Sequence, residues 1–231
     1  MTPAAEAPSG PVPMVVAYGA GKPPAEAAGL VNLPRVRLHP GEVLRLNSED
    51  FELPLPVIGQ EKVATDLCLA DHLKHLSGGW NGTAVRFIDD YFAHLRRVVA
   101  DHREEIARRL GPLAGLFAPE DMLYSAPLPL PRALLPLPAE GGGTEPIPVD
   151  MFFWLGGYAE AVLFAPSALM PAAERRRRAC LAAAGIHFTC LTAGDIGRPE
   201  TFAALLGETG GAFWRDETLP VAPGAPRLPA F

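Results

Sequence analysis

The sequence predicts an α/β protein with a mixed central sheet and flanking helices. Three observations lead there. Residues 146–196 read in order as strand, Gly-Gly turn, strand, arginine-rich helix and strand. Residues 83–110 carry apolar positions at the helical spacing of three and four. Apolar residues make up 48% of 231, enough for a sizeable core, and proline and glycine (26 and 23) cut the chain into short elements.

From the N-terminus, residues 1–13 are rich in Pro and Ala and predict a disordered segment. Val12 to Tyr18 predicts a strand closed by Gly19 and Gly21. The short apolar pieces RVRL, EVLRL and ELPLPVI between residues 33 and 58 predict small or edge strands, because proline cannot donate to a ladder. A helix is expected from Val63 to Leu76, stopped at Ser77-Gly78-Gly79. A second, continuous helix is expected from a cap at Asn81 or Thr83 to Gly111-Pro112. Its buried stripe would be Ile88, Tyr91, Phe92, Leu95, Val98, Val99, Ile106 and Leu110.

Residues 125–148, proline-rich with GGG at 141–143, predict a linker or surface loop. Ile147–Leu155 and Tyr158–Ala165 then predict a hairpin turned by Gly156-Gly157. Both strands are nearly all apolar, so the hairpin should be central and covered on both faces. Pro171 to Ala184 predicts a helix with Gly185 at its C-cap. A short last helix should include Phe202–Leu206, before a Pro-rich tail. The expected organisation is a disordered segment 1–13, an N-terminal region 14–115, an α/β core 116–217 and a tail 218–231.

Composition excludes several functions. The formal net charge of −6 argues against a globally basic nucleic-acid coat. Cys68, Cys180 and Cys190 form no C-x-x-C, so a zinc ribbon or redox pair has no support. The N-terminus lacks the pattern of a signal peptide and no apolar run is long enough to span a bilayer, so a cytoplasmic chain without membrane contact is expected. GAGK at 19–22 fails as a phosphate loop, since the motif needs four residues between its glycines and Ser or Thr after the Lys. His72 and His75 are not at i, i+4 and have no acidic third ligand in view. His94 with Asp90 is ordinary helix surface. Asn81-Gly82-Thr83 matches a sequon without meaning in a cytosolic chain, and no Gly-x-Ser-x-Gly occurs.

What remains is a pair of carboxylates, Asp150 and Glu160, one on each strand of an apolar hairpin. A carboxylate there must be paired, protonated or metal-bound. Magnesium prefers one or two such oxygens together with waters and phosphate. Arg175, Arg176, Arg177 and Arg178 follow on the helix, candidates for phosphate or nucleic-acid contact. At ~100° per residue they wrap most of the circumference, so they cannot all face one backbone, and one is pushed toward the apolar side. Glu174 and Arg178 are spaced as an i, i+4 pair.

The stretch 146–196 resembles the core of the PD-(D/E)XK nuclease superfamily, closest to its very-short-patch-repair-like branch. There a strand–turn–strand is followed by an Arg-containing helix and another strand. The resemblance, over about 50 residues, implies a restriction-endonuclease-like fold, with Asp150 and Glu160 as the catalytic Mg²⁺ ligands and DNA as substrate. RRRRACLAAAGIHFTCLTAGDI would match the helix and strand that follow. The family's lysine falls on Val162, and Val149 rather than proline precedes Asp150. Arginine cannot replace that lysine as a base, because it stays protonated. Glu104 or Glu105 on the long helix is a possible further carboxylate.

The hairpin raises a geometric objection. If Gly156-Gly157 is a strict two-residue turn, Leu155 pairs with Tyr158 and Phe153 with Glu160. Asp150 and Glu160 then fall on opposite faces, and a shared site needs a bulge or a longer loop. Two readings therefore stand. One is a non-catalytic binding or scaffold protein on a degenerate nuclease-like fold, using its Arg helix or Pro-rich surfaces for a protein partner. The other is a Mg²⁺-dependent nuclease.

Overall fold

A computed structural model describes residues 13–19, 33–46, 48, 51, 65–78, 82–139, 142–156, 158–164, 172–211 and 213–215. Six strands form one mixed sheet: β1 (Met14–Ala17), β2 (Arg35–Leu38), β3 (Leu130–Pro138), β4 (Thr144–Trp154), β5 (Ala159–Phe164) and β6 (His187–Leu191). Their spatial order is β2-β1-β3-β4-β5-β6. All neighbours are antiparallel except β5 and β6, which run parallel and are joined through helix α4 (Ala172–Ala183), the long crossover that parallel strands require. The other helices are α1 (Thr65–Leu76), α2 (Thr83–Asp101), α3 (Arg103–Leu110) and α5 (Pro199–Gly211). Among the described residues no helix is long and apolar enough to cross a membrane.

The mixed α/β architecture is the one the sequence predicts, and the β4–β5 hairpin is central. Its face carrying Met151 and Phe153 packs against α2. Phe153 lies 5.6 Å from Tyr91 and 6.3 Å from Phe87, ring centre to ring centre, and Phe202 of α5 closes the cluster at 5.2 Å from Phe87. Tyr91 satisfies its hydroxyl within this apolar layer by donating to the Pro127 carbonyl at 2.5 Å. The stripe expected on the long helix is in place, with Ile88, Tyr91, Phe92, Leu95, Val99, Ile106 and Leu110 buried and Val98 packed partly against the core.

Three local expectations change. Residues 125–148 are not a linker: β3 and the start of β4 lie within them, and β3 runs through the middle of the sheet. Pro131, Pro136 and Pro138 are tolerated because β1 reaches β3 at a single pair, Ala17 with Leu134, so one flank of β3 is edge-like over most of its length. The helix expected over 83–110 is two helices, parted at His102 (φ −111°, ψ 17°), where the imidazole packs 4.4 Å from the Trp214 ring. EVLRL is not a strand and makes only isolated bridges, Val43 with Leu155 and Arg45 with Pro127. The predicted segments 1–12, 52–58 and 218–231, and Gly157 of the turn, lie outside the described residues. Strands from both sides of the expected boundary at 115/116 join the one sheet, through the β1–β3 contact.

Phe153 is fully buried against two rings of α2, Phe87 and Tyr91. Phe153→Ala should therefore cost about 3–5 kcal/mol, transfer and cavity terms together, read as a lowered midpoint in urea unfolding.

Candidate functional site

The β4–β5 register decides where the two acids sit. The Leu155 N–H donates to the Tyr158 carbonyl at 3.0 Å, and the pairs that follow are Trp154 with Ala159, Phe153 with Glu160, and Met151 with Val162. Directly opposite residues share a face, and alternate residues change face. Glu160 therefore lies with Phe153 and Met151 on the α2 side. Asp150 lies with Phe152 and Trp154 on the other side, under α4. The joint metal site expected of Asp150 and Glu160 is corrected accordingly: the register carries no bulge to bring them to one face. They do not fit a shared Mg²⁺, and Val162 supplies no lysine. Among the described residues no group of three or more His, Cys, Asp or Glu is placed to hold a metal ion.

Asp150 occupies a fork. Hydrogen-bonded pairs alternate along an antiparallel ladder, so after Leu155–Tyr158, Phe153–Glu160 and Met151–Val162 the next would be Val149 with Phe164. That pair is not made. β4 goes on with β3, β5 goes on with β6, and the Phe164 N–H donates instead to Asp150 Oδ2 at 2.8 Å. The carboxylate stands in for a missing ladder carbonyl. Across on β3, Arg132 sits opposite Asp150 and has left the strand conformation for φ 49°, unusual for a side chain with a Cβ.

From α4, Arg177 reaches the same fork. Its Nη1 lies 3.9 Å from Asp150 Oδ2 and donates to the Pro148 carbonyl at 3.4 Å, while its Nη2 bonds Glu174. Arg178 Nε donates to Glu174 Oε1 at 3.0 Å, the i, i+4 pair the spacing predicts. Arg177, 19% exposed at its side chain, is the arginine pushed toward the sheet. Arg176 turns outward and pairs with Glu145 at 2.7 Å, and Arg175 is exposed. The four arginines thus form no common phosphate-facing surface.

Burial pushes the Asp150 carboxyl up, only partly offset by the Phe164 N–H and Arg177. Burial also acts upward on Glu174, but hydrogen bonds from Arg178 and Arg177 outweigh it and hold this carboxyl below its ordinary value.

On the opposite face Glu160 has its own surroundings, which sequence reasoning missed. The residue is 7% exposed. The Thr189 hydroxyl on β6 donates to Glu160 Oε1 at 2.7 Å, and His187 stands beside Glu160 in the parallel register. Burial raises the Glu160 carboxyl, with Thr189 and His187 pulling weakly the other way. Tyr158 meets His187 edge-on at 5.9 Å, and its hydroxyl comes within 3.0 Å of the place a Cβ on Gly207 would take. Gly207 (φ 53°) kinks α5 there, a position only glycine fills without strain. None of these neighbours could be read from the sequence, because the register of β6 on β5 depends on the length of the crossover. Of the further carboxylates considered, Glu105 is engaged with His102 and Arg215, and Glu104 is exposed on α3.

Comparison with protein-family models, curated proteins and solved structures finds no match to this chain.

Two outcomes follow from these environments. Asp150→Ala leaves the Phe164 N–H without its acceptor and should cost about 1 kcal/mol in urea unfolding, at the low end because the side chain is partly open to solvent. For Glu160 the native chain keeps a proton that the unfolded chain loses near pH ~4.3. Its contribution to stability is complete below that pH and is lost as pH rises through the higher native value. Melting curves of wild type and Glu160→Gln should therefore converge at pH 4 and separate at pH 7, with the variant the more stable; parallel behaviour at both would show that Glu160 is not buried as described.

Proposed function

We propose that this is a cytoplasmic, non-catalytic binding or scaffold protein, built on a degenerate nuclease-like core. The observation that carries the reading is the employment of Asp150. Its carboxylate is bound to the Phe164 N–H beside Arg177, on the face away from Glu160. A carboxylate used this way holds the strand fork together rather than a metal and a water. The order strand, strand, helix, strand over 144–191 is the part of the nuclease resemblance that supports a common ancestry of fold.

A protein partner suits the surface better than DNA. Arg176, Arg177 and Arg178 are each matched by Glu145, Glu174 or Asp150, and the chain carries a net −6. Phosphate binding needs positive charge that is not already neutralised.

Plasmid incubation with Mg²⁺ or Mn²⁺ tests the reading. Wild type should nick no faster than Asp150→Ala, and Arg176→Ala should leave retention of duplex DNA at low salt unchanged. Metal-dependent nicking that disappears in Asp150→Ala would overturn it.

A further inference from the structure

The sheet ends in two edges, and they differ. β2 shows solvent the charged side chains Arg35 and Arg37, alternating with buried Val36 and Leu38. Charges on an edge strand discourage another strand from pairing there. β6, HFTCL, has no such guard. From Ala179 to Gly194 the chain holds sixteen residues without Asp, Glu, Lys or Arg, ACLAAAGIHFTCLTAG, although charged residues are 20% overall. That tract includes the last turns of α4, which packs on β6 and exposes Ala179, Ala182 and Ala183. Among the described residues β6 has no strand on its outer side.

We propose that β6 is a self-association edge, which pairs antiparallel with β6 of a second copy about a twofold axis at Thr189. Charge selects this occupant. A charged partner would find nothing complementary along 179–194, whereas two chains of net −6 repel least where each is neutral. The strand also complements itself. With Thr189 facing its own twin, Phe188 lies opposite the partner's Cys190 and His187 opposite the partner's Leu191, pairs of β-branched, aromatic and apolar residues suited to a sheet. A head-to-tail pairing of β6 on β2 would instead propagate into fibres, and the β2 arginines oppose it. The twofold pairing closes at two. Five residues of strand fall short of the about 800 Å² per partner usual in stable dimers, and the exposed alanines of α4, which packs on β6, are the uncharged surface that would extend the contact.

Sedimentation velocity on the full chain, between about 1 and 100 µM, reads this directly. Wild type should move from the mass of one chain to that of two across the range. His187→Lys, at an exposed position, should weaken the dimer at least about tenfold. Thr189→Lys, which sets two lysines face to face at the axis, should leave a single chain throughout; because it also removes the hydroxyl that holds Glu160, its fold is checked by circular dichroism and its result is read together with that of His187→Lys. Arg37→Ala on the far edge should change nothing. Amide exchange in 187–191 should quicken on dilution in wild type and in Arg37→Ala, and should not depend on concentration in Thr189→Lys. A wild-type mass of one chain at the highest concentration would overturn the proposal, as would a dimer indifferent to both β6 variants. Protection of the β6 amides at every dilution without dimer mass would also overturn it, since the edge would then be covered within the chain.

Discussion

One bond at the hairpin turn sets the chemistry of this molecule. The Leu155 N–H to Tyr158 carbonyl bond fixes the register of β4 on β5, and the register assigns each side chain to a face. Met151, Phe153 and Val162 go to the α2 side and are fully buried, with the α2 rings Phe87 and Tyr91 against Phe153. A slip of one residue would turn those side chains over, at a cost of several kcal/mol in lost burial. The same register parts Asp150 from Glu160. The apolar majority dictates the pairing, and the two acids take what is left.

Each acid meets its position by different means. Asp150 stands where β4 leaves β5 for β3, and replaces a backbone acceptor that the parting strands remove. Arg177 and Arg132 approach the same carboxylate, and Glu174 ties Arg177 into the base of α4. Glu160, with no cation among the described residues in hydrogen-bond contact, is held by the Thr189 hydroxyl, and burial favours its neutral form. Both carboxylates are occupied by contacts within the fold, with the Phe164 amide and with the Thr189 hydroxyl. A hydrolytic metal centre instead needs oxygens converging on one point with room for water and phosphate.

Much of the fold was legible because periodicity reports burial. The stripe from Ile88 to Leu110 and the two apolar strands around Gly156 announced their elements, and counting back from a strict two-residue turn put Asp150 and Glu160 on opposite faces, while a bulge or longer loop would have put them on one. The Glu174–Arg178 pair and one inward arginine followed from helical geometry alone. Other features were hidden for physical reasons. Proline argued against β3, yet the thin ladder from β1 leaves that strand an edge-like flank where a missing N–H is tolerated. The break at His102 packs against a tryptophan more than a hundred residues downstream, a contact that no local pattern shows. The neighbours of Glu160 depend on how β6 docks, which no local pattern encodes.

The central claim is that Asp150 serves the Phe164 amide rather than a metal shared with Glu160. The most direct measurement is an NMR titration following the Phe164 amide proton, first with pH and then with Mg²⁺. The account predicts a large downfield position that moves as Asp150 is protonated, disappears in Asp150→Asn, and does not respond to millimolar Mg²⁺. A saturable Mg²⁺ response at Phe164 shared by the amides around Glu160 would contradict it, because one ion would then be touching both carboxylates.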